Sequence, residues 1–295
     1  MTMGVFGQAA ESRPLRFLVL LLLALSVWRY ITHVVQRESE ASFPESLWTP
    51  TTLTFDVWGG CVLALLTPLL VSECVRPRHT TPYMGVLFVL LCAQFAVAIL
   101  TQELRVVGHL TSALVSMCVL WACLLISFTV VEHHIEPMVL SSVVFSDTDH
   151  VYTTSNRWDY LSIRLPLALW WVYSSAEVLA VCHAVALNAQ TKPDMRIFVT
   201  SMGGWVLVSV GLLLTTGDTA ILIGSLWMLW GVANANSSHS SNESHTMATL
   251  AGLGAFVLGG LFCFLVLHKA WRGPKDRWAP LFSLRGVSAP RRMAV

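Results

Sequence analysis

Eight long apolar runs divide the chain, and they constrain its fold more than any other feature. They are Phe17 to Val35, Phe55 to Leu70, Gly85 to Leu100, Leu110 to Val131, Leu165 to Leu187, Ile197 to Thr215, Thr219 to Val232 and Ala248 to Leu267. A bilayer core about 30 Å thick needs roughly 20 mostly apolar residues per helical crossing. Inside it no water is present to satisfy a bare N–H or C=O, so each run must pair its own backbone as a helix. The reading is an all-α, polytopic transmembrane helical bundle of eight spans. The seventh run is short and is preceded only by "TGDT", so seven spans is the alternative count. Composition agrees, because 12% of the residues are charged, where soluble domains carry about a quarter.

Residues 1–16 then form an N-terminal tail, 17–268 the bundle and 269–295 a basic C-terminal tail. The first run resembles a signal peptide, with Arg13 and Arg16 ahead of an apolar core. Trp28, Arg29 and Tyr30 follow it instead of a small-x-small cleavage site, so it is kept as a span. Eight spans put both termini on one side. Thirteen of the 18 Lys and Arg fall on that side and five on the other, so the positive-inside rule makes both termini cytosolic. The connection "NANSSHSSNESH" then lies on the lumenal or outer face. It has no Lys or Arg and carries two glycosylation sequons, at Asn236 and Asn242. The basic tail, with Trp271 and Trp278, either lies on an anionic inner leaflet or is solvated. A net charge of +1 excludes nucleic-acid binding by bulk charge. None of the seven cysteines forms a C-x-x-C pair, which leaves zinc or redox chemistry without support.

An acid within a span is costly and marks a candidate site. Glu177 is mid-span in "LPLALWWVYSSAEVLAVCHAVAL", and helical spacing puts Trp170, Tyr173, Ser174 and Glu177 on one face. Aromatic walls around one polar contact suit an apolar ligand. The alternative is a hydrogen-bonded Glu that locks this helix to a neighbour. Asp56 begins the second span, where an acid also suits the first turn of a helix, and Trp58 follows it. His133, His134 and His150 share the long connection with Glu136, Asp147 and Asp149 at no recognised metal-ligand spacing. No metal site, cofactor site or catalytic nucleophile motif is expected, and "SMGGW" and "LGGL" read as small-residue packing patches.

Three stretches together resemble one family, the divergent tryptophan-rich membrane proteins related to TspO and the peripheral benzodiazepine receptor. In "LWTPTTLTFDVWGG", Thr49-Pro50, Phe55 and Trp58-Gly59 are in register with the family's pattern. In "WDYLSIRLPLALWWVYSSAEVLA", Trp158, Arg164, Leu165 and Pro166 match. In "GDTAILIGSLWMLWGVA", Asp218, Ala220, Trp227, Leu229 and Gly231 match at the same spacing. The departures are Val172-Tyr173 for a Gly-Trp pair, Gln94 for an Asn and Glu177 for an Ala.

Function follows in three alternatives. The resemblance implies a non-enzymatic receptor, sensor or carrier for an apolar small molecule, tetrapyrrole- or sterol-like. Its candidate ligand contacts are Trp170, Tyr173, Ser174, Glu177, Trp227, Asp56 and Trp58. A proton-coupled secondary transporter would use Glu177. An intramembrane hydrolase would need His and acid residues brought together, and most of the histidines lie in loops or at span ends.

Overall fold

A computed structural model describes residues 12–35, 47–48, 52–75, 82–135, 157–189, 195–216, 218–237, 239 and 241–272. Thr49-Pro50, the centre of the long connection and residues 273–295 of the basic tail lie outside the described residues, as does the side chain of Asp56. Every expected span is a helix. They are α1 Arg13–Val35, α2 Thr52–Val75, α3 Pro82–Val106, α4 Leu110–His134, α5 Leu165–Asn188, α6 Met195–Thr216, α7 Thr219–Ser237 and α8 Asn242–Arg272. All except α5 and α6 overrun their apolar runs by three residues or more at one end, because helices continue into the polar boundary where hydropathy has already fallen. The protein is a multi-pass membrane protein with an all-helical bundle.

Among the described residues seven helices are long and apolar enough to cross a membrane; α7 is not one of them. Asn234 and Asn236 lower its hydropathy. It packs against α8, α5, α6 and α2, and the Asn236 amide donates to Leu47 O and Val232 O, both at 2.9 Å. A helix enclosed by protein need not be apolar on every face.

Helix α5 is the hub. Its apolar window is 61% buried, against 22% in α1 and in α8. It packs on α2, α4 and α7. The antiparallel pairs α3–α4 and α7–α8 lie to either side, α1 rests on α2 and α3, and α6 packs on α8 and α7. The outward faces carry Leu207, Phe256 and Leu267, all highly exposed, as a lipid-facing surface requires. A π-helical turn, Tyr160–Arg164, leads into α5. Pro166 has no N–H for the Ser162 carbonyl one turn back, and the Leu165 N–H reaches Tyr160 O instead. The wider turn points both Tyr160 and Arg164 inward, where they are buried.

Glycines set two of the close helix approaches. A Cβ on Gly224 of α7 would stand 3.1 Å from the Trp58 ring and 3.2 Å from Val172 Cβ. One on Gly254 of α8 would stand 2.7 Å from Val206 Cγ2. One on Gly252 would meet nothing within 4 Å. Gly224→Ala and Gly254→Ala should therefore each destabilise the detergent-solubilised protein by about 1–3 kcal/mol, the usual cost of overpacking. Gly252→Ala should leave the thermal midpoint unchanged or raise it, since Ala favours a helix by up to about 1 kcal/mol over Gly.

Candidate functional site

The site is assembled on α5. Successive residues fan out to different neighbours, since each helical step turns the side chain by about 100°. Trp170 meets Phe95 of α3 at 5.3 Å between ring centroids. Trp171 stacks on Phe128 at 6.0 Å and meets Trp121 at 6.3 Å, both on α4, and Trp205 of α6 at 6.4 Å. Tyr173 faces Trp58 of α2 at 6.2 Å. The Trp58 indole N–H donates to Leu169 O at 3.0 Å, and that of Trp121 to Ser175 Oγ at 2.8 Å.

Glu177 is not an isolated acid. Its Oε1 accepts from Arg105 Nη1 at 2.9 Å and from the Tyr173 hydroxyl at 3.2 Å. Arg105 ends α3 and also donates to Met117 Sδ at 3.4 Å. The carboxylate therefore ties α5 to α3, the helix-locking alternative of the sequence reading, while Tyr173 carries the contact on to Trp58. Tyr173 and Glu177 meet as the helical spacing predicted, Trp58 of another span faces Tyr173, Trp170 turns to Phe95, and Ser174 is fully buried. Trp227 does not join them. It is 37% exposed on α7 with its ring on Trp230 at 5.3 Å. Of the two sequon asparagines, Asn242 is exposed at the start of α8. Asn236 is 4% exposed with its amide nitrogen engaged twice.

Other charges pair in the same way. Arg164 Nε donates to Asp218 Oδ2 at 2.6 Å, with both side chains at 0% exposure. Arg164 Nη1 reaches the carbonyls of Ile135 and Glu132, which the end of α4 leaves unpaired. Asp218 Oδ1 accepts the Tyr160 hydroxyl at 3.0 Å and the Ala220 N–H at 2.9 Å, so it also caps α7. Arg16 and Glu73 form a buried pair at 3.6 Å between α1 and α2. Arg29 of α1 pairs with Glu103 of α3. Gln94, the departure from the family's Asn, donates to Cys123 O at 3.0 Å and Ser127 Oγ at 2.6 Å and joins α3 to α4.

The sequence reading singled out neither Arg105 nor Asp218 as a pairing partner, and it placed neither Trp48 nor Trp205 among the candidate ligand contacts. The available signal was that several spans carried an arginine near one end and another span an acid at matching depth. His183 lies between Trp48 at 6.4 Å and Phe198 at 4.2 Å. Among the described residues no three His, Cys, Asp or Glu side chains gather as a metal site would need. The three stretches behind the family resemblance meet here, Trp58 touching Leu169 and Gly224, and Arg164 holding Asp218. No family model, curated protein or solved structure matches the chain.

Removing one member of a buried ion pair strands the other's charge, at about 3–5 kcal/mol. Arg164→Met should therefore lower the thermal midpoint sharply. Arg164→Met/Asp218→Asn should recover part of the loss, because Asn still accepts the Ala220 N–H while the stranded charge is gone. A double variant as unstable as the single one would contradict this account.

Proposed function

We propose that the protein is a membrane-embedded receptor, sensor or carrier for an apolar small molecule. One observation carries the reading. The tryptophans of α2, α4, α5 and α6 converge on one stretch of α5, whereas Trp in membrane proteins usually forms belts at the interfaces. Phe95 and Tyr173 complete aromatic walls around a few polar groups, the usual makeup of a small-molecule site. The resemblance to TspO-related proteins makes a tetrapyrrole- or sterol-like ligand the first to test. Protoporphyrin IX or a sterol probe should quench the intrinsic fluorescence of the purified protein saturably, and Trp170→Phe should weaken the effect. A response that never saturates, in wild type and variant alike, counts against the reading.

A proton-coupled transporter is the second reading. It is favoured by Glu177 lying within a span at 13% exposure, shared between Arg105 and Tyr173. In this reading the transported proton neutralises the charge that Arg105 pairs with, which loosens α5 from α3. Glu177→Gln should then abolish proton-coupled uptake into liposomes, and unaltered flux would remove this alternative.

Both termini face the cytosol in this proposal, and the connection between α7 and α8 faces the lumen or the outside. Asn242 is then the glycan acceptor. Glycosidase treatment should increase the mobility of wild type and of Asn236→Gln but leave Asn242→Gln unshifted.

A further inference from the structure

Trp171 and Trp205 differ from three other tryptophans of the bundle. The indole N–H groups of Trp48, Trp58 and Trp121 each have an acceptor, Ser201 Oγ, Leu169 O and Ser175 Oγ respectively. Those of Trp171 and Trp205 have none, although the two residues are only 5% and 8% exposed. They face each other from α5 and α6 with ring centroids 6.4 Å apart. A third buried polar atom without a partner, His183 Nδ1, lies in the same gap, its ring 4.2 Å from Phe198 of α6.

The gap itself is unusual. Helices α5 and α6 are consecutive, yet the backbone of α6 packs on α7 and α8. Rings bridge the space between α5 and α6. At one end Trp48 crosses it, stacked on His183 and bonded to Ser201 of α6. A buried donor without an acceptor costs on the order of 1–3 kcal/mol. Phe at either position would keep most of the ring contact without that cost, so packing alone does not account for two facing indoles.

We infer that the α5–α6 gap is the ligand site and that Trp171 and Trp205 donate their indole N–H groups to an acceptor oxygen of the ligand. An indole N–H only donates, so the matching group is a carbonyl, ester or ether oxygen. The neighbouring rings of Trp121 and Phe128 offer no counter-charge, so the molecule is uncharged. This rests on the proposed function and adds the ligand's chemistry and its anchoring atoms. Trp48 closes one end of the gap.

The test uses the full chain in lipid nanodiscs and two tritiated probes with one carbon skeleton, pregnanedione with two ketones and pregnane with none. In a second arm Trp205 is replaced by benzothienylalanine, which keeps the ring shape and puts sulfur in place of the N–H. Pregnanedione should bind saturably and at least about tenfold more tightly than pregnane, the size of one hydrogen bond. The Trp205 analogue should bind it about tenfold more weakly with no fall in thermal midpoint. Equal binding of the two probes, or an analogue that binds like wild type, overturns the inference. A lowered midpoint also overturns it, because the N–H would then have a partner within the protein. If protoporphyrin IX binds saturably while pregnanedione does not, this inference fails and the broader reading stands. If no probe binds, both fail.

Discussion

The fold depends first on an ion pair held wholly out of contact with solvent. Arg164 and Asp218 join the start of α5 to the start of α7, and through Ile135 and Glu132 they reach the end of α4. Such a pair is retained only when desolvation is offset by good geometry and by hydrogen bonds to the remaining polar atoms. Tyr160, the Ala220 N–H and the α4 carbonyls provide most of those bonds, and of the guanidinium nitrogens Arg164 Nη2 is left without an acceptor. The π-helical turn before Pro166 aims both Tyr160 and Arg164 at Asp218. One constraint therefore sets the origin and the rotation of α5, and every ring on α5 takes its direction from that.

The other intramembrane charges follow the same logic at two depths. Arg16–Glu73 and Arg164–Asp218 lie towards one end of the bundle, Arg29–Glu103 and Arg105–Glu177 towards the other. Between them the helices are joined by rings, small residues and a few neutral polar groups. Without a hydrophobic driving force between helices in lipid, close packing at Gly224 and Gly254 and interhelical bonds such as those of Gln94 and Trp121 provide the cohesion.

Much of the architecture was legible in the chain itself. All eight helices lie where the apolar runs put them, and the doubt over the seventh run reflects a real property. Helix α7 has a lower mean hydropathy because its last turn carries Asn234 and Asn236. The face shared by Trp170, Tyr173 and Glu177 was also readable, since 3.6-residue periodicity orients side chains on a single helix. Trp227 was placed by motif alone, and it points outward. The short stretch "LWTPTTLTFDVWGG" read as the approach to α2, and two of its tryptophans prove to be anchors. Trp48 spans to α5 and α6, and Trp58 to α5 and α7.

By itself the sequence determined the membrane class, the helical secondary structure and the approximate ends of each span. These follow from local quantities, the thickness of a bilayer and the need of every peptide group in it for a nearby partner. Only the tertiary structure decided which arginine meets which acid, which indoles are paired and which are not, and that α6 stands off α5. Those outcomes depend on the rotation and depth of helices far apart in the chain. Hydropathy contains no information about either, because an apolar helix has no preferred azimuth until its neighbours are in place.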